Sequence, residues 1–134
     1  IDAVFLKSRL PLSQPFRGKA VLIYTGHAVH WKSDRYFELH PFLTEDAAVF
    51  LRDGGAAFVG VDSYNIDDTS GKTRPVHSVL LTADIPICEH MTNLHSLPDS
   101  GFRLHSAPVK VKAFSTFPVR AFAVVPSPAL RSRL

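Results

Sequence analysis

The sequence predicts an α/β domain with a central mixed sheet and few helices, and three features of its 134 residues predict it. Two apolar runs, Ala20-Val21-Leu22-Ile23-Tyr24 and Ala56-Ala57-Phe58-Val59-Gly60-Val61, are continuously hydrophobic, the mark of strands buried on both faces. Between them lies a stretch with helical spacing, and strand, helix, strand at this scale suggests a right-handed parallel crossover. From Phe102 onward the pattern becomes β-like again, which adds strands beyond the crossover unit.

Each element has its own local signal. Gly18 and Lys19 form a turn before the first strand, and Thr25-Gly26 ends it. Residues 26–44 contain His27, His30, Trp31, His40 and Pro41 without periodicity, and so long a loop is expected to line a pocket. A helix is expected after Thr44, whose hydroxyl can cap an orphan N–H while Glu45 and Asp46 favour the positive end of the dipole. Leu43, Ala47, Ala48 and Leu51 form its apolar stripe, and Gly54-Gly55 stops it. Residues 62–74 are polar and turn-rich and should be a surface loop with its tip at 67–71. Pro75 can open a short helix over 76–81. Ile85-Pro86-Ile87-Cys88 then reads as a short strand leading to Glu89, and Leu94, Leu97 and Pro98 mark another short helical piece. Residues 109–112 alternate, residues 119–125 read as an apolar strand, and residues 126–134 read as a tail.

Composition narrows the classes of function. Nearly half the residues are apolar and a fifth charged, as in one globular domain. Fifteen basic against twelve acidic residues leave a net charge of +3, and the basic side chains are scattered apart from Arg131 and Arg133. A nucleic-acid partner, which needs a basic face, is therefore not expected. The longest apolar runs are about five residues, far short of the ~20 that span a bilayer, so no membrane partner is expected. Cys88 is the single cysteine, which rules out an intramolecular disulfide or a cysteine-based zinc cluster and fits a reducing, cytoplasmic setting. The chain opens on Ile1 with no charged-then-apolar leader, so a preceding segment is expected.

The informative pair is His77 and Glu89, twelve positions apart, one on an expected helix and one at a strand end. Imidazole nitrogen and carboxylate oxygen both bind divalent metals, and a carboxylate ending an apolar strand is costly to desolvate without a cation or several donors. Spacing alone goes no further, because a solvated strand-end glutamate and a hydrogen-bonded histidine meet the same description. Asp62 and Asp67 follow a buried strand into a loop, where ligand-facing residues and solvated turn carboxylates both occur. Trp31 and Phe42 suit either the wall of a substrate pocket or the core, and Asn93 is a turn former.

A wider set of residues resembles the cyclase family, whose members include kynurenine formamidase-like metal-dependent hydrolases. The run Arg17-Gly18-Lys19-Ala20-Val21-Leu22-Ile23-Tyr24-Thr25-Gly26 is similar to the family strand that ends in Thr-Gly. His40-Pro41-Phe42-Leu43 and the helix after it, and Gly60-Val61-Asp62-Ser63, resemble the next family segments. Arg74-Pro75-Val76-His77-Ser78-Val79-Leu80-Leu81 and Ile85-Pro86-Ile87-Cys88-Glu89-His90-Met91-Thr92-Asn93-Leu94 match its His-x-x-Leu-Leu and strand-Glu patterns in order and spacing. Gly101-Phe102-Arg103 and Thr116-Phe117-Pro118-Val119-Arg120-Ala121 complete a likeness spanning residues 16–125.

The resemblance implies a swivelling β/β/α-type fold, with His77 and Glu89 as ligands of zinc or manganese. It implies hydrolysis of a small-molecule amide, formamide (arylformamidase-like, as in tryptophan catabolism) or cyclic ester by metal-activated water. Trp31, Phe42 and Asp62 then fall on the substrate pocket. The family's remaining ligands and its catalytic histidine lie in a His-x-Gly-Thr-His-x-Asp segment ahead of the first strand, which these residues do not contain. The expectation is thus one incomplete family domain over 1–134, nearly inert alone, with a metal site of doubtful occupancy and no catalytic residue to name. A non-catalytic binding or assembly subunit is the alternative, and self-association into a homo-oligomer is expected of a domain with uncovered core.

Overall fold

The computed structural model describes residues 1–10 and 16–127, and these divide into two compact units that meet at Leu94 and His95. The first unit contains α1 (Ala3–Arg9), β1 (Ala20–Ile23), α2 (Glu45–Asp53), β2 (Phe58–Val61), α3 (Pro75–Thr82) and β3 (Ile87–Cys88). The second contains β4 (Arg103–His105) and β5 (Phe122–Val124). No described helix is long and apolar enough to cross a membrane.

In the first unit β1, β2 and β3 form a parallel sheet in that order, with Val21 opposite Val59 and Gly60 opposite Cys88. The two crossovers run through α2 and α3, so the expected strand, helix, strand unit is present and is repeated once. Val21, Ile23, Val59 and Val61 alternate onto the face that packs with Leu6 of α1, Ala47, Ala48 and Leu51 of α2, and Val76 and Leu80 of α3. On the opposite face Gly60 lies under Met91 and Leu22: a Cβ on Gly60 would sit 2.4 Å from Met91 Sδ. The α/β class with few helices is as expected. Parallel and antiparallel pairing both occur, in separate sheets among the described residues.

Several local expectations change. Thr44 occupies the N-cap position of α2, but its hydroxyl donates to the Asp46 carboxylate and to Ile1 O at 3.2 Å and caps no backbone N–H. Asp46 in turn accepts from Ala3 N at 3.0 Å, which ties α1 to α2. Nothing in the sequence reading anticipates α1, which Asp2 caps by accepting from Phe5 N at 2.8 Å. The 62–74 segment is only partly a surface loop, since Asp62, Ser63, Ile66 and Asp67 are fully buried. The long 26–44 loop contains two 3₁₀ turns, His27–His30 and Asp34–Phe37.

In the second unit β4 and β5 pair antiparallel, with Leu104 opposite Ala123. The expected strand at 119–125 is present as β5. The alternating 109–112 run is exposed and forms no strand, because no neighbouring segment offers it a ladder of partners. Of the expected tail, residues 128–134, with Arg131 and Arg133, lie outside the described residues.

Candidate functional site

The C-terminal ends of all three parallel strands converge, the usual place for a ligand crevice in an α/β sheet. After β1 comes the Thr25-Gly26 turn, after β2 the buried segment from Asp62 to Asp67, and after β3 the pair Glu89-His90.

His77 and Glu89 are brought together here. His77 Nε2 lies 3.7 Å from Glu89 Oε1, and the two side chains keep 28% and 21% of their surface exposed, so both can be reached from outside. His77 is in the first turn of α3, where Pro75 takes the first helical position and needs no N–H partner. Glu89 is fixed by accepting a 2.7 Å hydrogen bond from Ile66 N.

Asp67 organises this pair. It is fully buried, and its oxygens accept from Val76 N at 2.7 Å, His77 N at 3.0 Å and the His77 ring at 2.6 Å. It thus caps α3 from a distant loop, where Arg74 provides no side-chain cap, and a carboxylate is favoured at that end of a helix. Its bond to His77 Nδ1 requires the proton on Nδ1, which leaves Nε2 to face Glu89. A histidine whose other nitrogen is held by a carboxylate is the usual arrangement behind a metal ligand.

Asp62 has a different part. It is fully buried, with Oδ1 accepting from Thr25 N and Thr25 Oγ1 at 2.7 Å and Oδ2 accepting from Gly26 N at 2.9 Å. It holds the turn that ends β1, behind any pocket surface. Trp31 is 57% exposed and meets the Tyr36 ring edge-on at 5.1 Å. Phe42 is half-buried and packs 6.2 Å from the His40 ring. His40 is buried and donates from Nε2 to Asp67 O at 3.0 Å, which steadies the loop carrying Asp67.

Sequence reasoning misses a second cluster beside Glu89. Tyr36 is 1% exposed, its hydroxyl is 2.9 Å from His90 Nδ1, and its carbonyl accepts from His27 Nε2 at 2.9 Å. Burial raises its phenol to about 12, with the negative charges of Asp62 and Glu89 adding to the effect, so the hydroxyl stays protonated. Tyr64, Phe37 and Trp31 surround the same group. The only sequence signal for it is the density of aromatic and histidine residues in a loop without periodicity.

The donor set can be tested against a divalent metal. A tetrahedral ion with bonds of about 2.1 Å holds its ligand atoms about 3.4 Å apart, close to the 3.7 Å between Nε2 and Oε1. Imidazole with carboxylate suits zinc or manganese. The two residues therefore fit as part of a metal site. Among the described residues no group of three or more His, Cys, Asp and Glu side chains is placed to hold an ion.

Comparison with known proteins bears on the family. Residues 7–68 match a family model described as "Putative cyclase"; the match covers β1, α2 and β2 and stops ahead of His77. Kynurenine formamidase of Bordetella avium (strain 197N) is 30% identical over 103 residues, covering 75% of this chain and 47% of that protein. Kynurenine formamidase of Bacillus cereus is 30% identical over 92 residues, covering 69% and 44%. Isatin hydrolase A from Ralstonia solanacearum superposes with a TM-score of 0.80 at 22% identity over 94% of this chain and 53% of its own, which shows the shared fold. A "potential metal-dependent hydrolase with cyclase activity" superposes with a TM-score of 0.62 at 27% identity, covering 84% and 53%. The chain belongs to the cyclase family. It spans about half the length of the curated relatives it matches.

Proposed function

We propose that this chain forms part of a metal-dependent hydrolase in which His77 and Glu89 bind a divalent ion, zinc or manganese, alongside ligands from outside these residues. The observation that carries the reading is the Asp67–His77–Glu89 arrangement, with Nδ1 bonded at 2.6 Å and Nε2 set toward Oε1. Such an ion, when bound, polarises a carbonyl and lowers the pKa of water. The chain's own residues do the rest. Asp67 fixes the His77 tautomer, Ile66 N holds Glu89, and Asp62 keeps the Thr25-Gly26 turn in place behind the crevice.

The substrate class in this reading is a small amide, formamide or cyclic ester carrying an aromatic ring. The names of the relatives support it, as does the exposed Trp31 ring, with Phe42 as the second apolar wall. The swivelling β/β/α architecture is part of the same proposal, supported by the 0.80 superposition. So are self-association, supported by exposed Val29, Trp31, Phe37 and Leu39, and a cytoplasmic setting, supported by the single cysteine.

A second reading is a non-catalytic binding or assembly subunit. One observation favours it: three hydrogen bonds occupy Asp67, which leaves His77 and Glu89 as the two described side chains at the centre of the site set to ligate an ion. Hydrolysis of N-formylated aromatic amines and of isatin, assayed with and without added zinc or manganese, separates the two. The first reading expects turnover that a chelator abolishes and that His77→Ala reduces by at least 100-fold. Metal-independent turnover, or none in any preparation that includes the flanking sequence, would favour the second.

A further inference from the structure

Glu89 is followed by a residue in an unusual backbone conformation. His90 has φ +57°, the left-handed region that L side chains rarely adopt, and it directly follows Glu89, two residues past the end of β3. Three contacts hold it there. His90 N donates to Ser63 O at 3.0 Å, Met91 N donates to Val61 O at 3.1 Å, and the Tyr36 hydroxyl and His90 Nδ1 are hydrogen-bonded at 2.9 Å. The first two are backbone bonds that any residue at these positions could make. The third depends on side chains from segments 54 positions apart.

Tyr36 is itself fixed. Its ring stacks on His27 at 5.3 Å, and the His27 ring bonds its carbonyl. The Asp62-held turn anchors His27 through the bond from His27 N to Thr25 Oγ1 at 3.1 Å. Buried, bonded groups therefore run from the end of β1 to the turn that aims Glu89.

We infer that Tyr36 is a positioning residue for Glu89: by bonding His90 Nδ1 it holds the left-handed turn that keeps the Glu89 carboxylate on Ile66 N and facing His77 Nε2. The direction of Glu89 is then set through Tyr36 and His90, while Asp67 aims the other member of the pair. The inference deepens the metal reading above, but its geometric part concerns Glu89 with or without an ion.

The experiment uses the full chain with three substitutions and two readouts. Tyr36→Phe removes the hydroxyl and keeps the ring. His90→Ala removes the ring partner of the hydroxyl. His90→Asn keeps a polar partner near the place of Nδ1, able to accept or donate, on a residue that tolerates φ above zero. The readouts are amide hydrogen exchange at Ile66, whose N–H reports the Glu89 bond, and the dissociation constant for Zn²⁺ by chelator competition. Tyr36→Phe and His90→Ala are expected to speed Ile66 exchange at least ten-fold with Val59 and Val61 unchanged, and to weaken Zn²⁺ about ten-fold, the lower end for outer-shell partners. His90→Asn is expected to stay near wild type in both. Equal acceleration at Ile66, Val59 and Val61 would reduce Tyr36 to ordinary packing and overturn the inference, as would unchanged Ile66 exchange or unchanged Zn²⁺ affinity in a protein that binds it. A wild type that binds no Zn²⁺ while Ile66 still responds would sink the metal reading and support the positioning role.

Discussion

Asp67 carries the largest single-residue consequence. Its carboxylate accepts from Val76 N, His77 N and His77 Nδ1, and it lies wholly out of solvent. Replacing it by Ala orphans three donors at a helix start, so Asp67→Ala is expected to cost about 3 kcal/mol or more in urea denaturation. A loss under 1 kcal/mol would mean that water replaces the carboxylate freely. Asp46 gives a pH-dependent test. Hydrogen bonds, first from the Thr44 hydroxyl and then from Ala3 N, hold its carboxyl below the usual range. A depressed folded value stabilises above the ordinary carboxylate pKa of about 4 and is lost as pH falls through it and below. Asp46→Asn should therefore flatten the acid limb of stability below about pH 4, measured by denaturation at stepped pH. At this scale His77 and Glu89 are legible in the sequence, through a resemblance that surrounds them. Asp67 as their organiser is not, because it caps from eight positions ahead of Pro75 and local capping patterns reach only about three.

At the scale of elements, the buried strands and both crossover helices could be read because continuous apolar runs and a 3.6-residue stripe leave few alternatives. The Leu43, Ala47, Ala48 and Leu51 stripe is fully buried as expected, and Leu51→Ala should cost about 2–5 kcal/mol. The glycine of β2 was legible only as part of an apolar run, yet contact with Met91 and Leu22 leaves no room for a methyl group. Gly60→Ala is expected to lower stability by about 1–3 kcal/mol, read as a fall in thermal midpoint, and a neutral result would contradict the packing of Met91 across the sheet. The alternation at 109–112 misled because pattern alone does not supply a partner strand. The role of the 26–44 loop was hidden for a related reason: its buried members, His27, Tyr36 and His40, are chosen by tertiary hydrogen bonds and not by period.

For the whole molecule, the two units differ in how they are held. The first has a core of buried side chains from three helices and from β1 and β2, whereas none of the described residues from 95 to 127 is buried to the same degree. A two-stranded ribbon without a core is marginal in water. Limited trypsin digestion of the full chain should therefore cut first after Lys110, Lys112 or Arg120 and leave a resistant species that retains residues 20–94 intact. Early cuts inside the first unit would contradict that division of stability.

The central claim, that His77 and Glu89 are neighbouring ligands of one divalent ion, is tested most directly by titrating Zn²⁺ and Mn²⁺ into the wild-type chain, His77→Ala and Glu89→Gln, with circular dichroism as the control for folding. The account predicts one ion per chain for the wild type and at least ten-fold weaker binding for each folded variant. Equal binding by all three proteins, or no binding by the wild type, would contradict it.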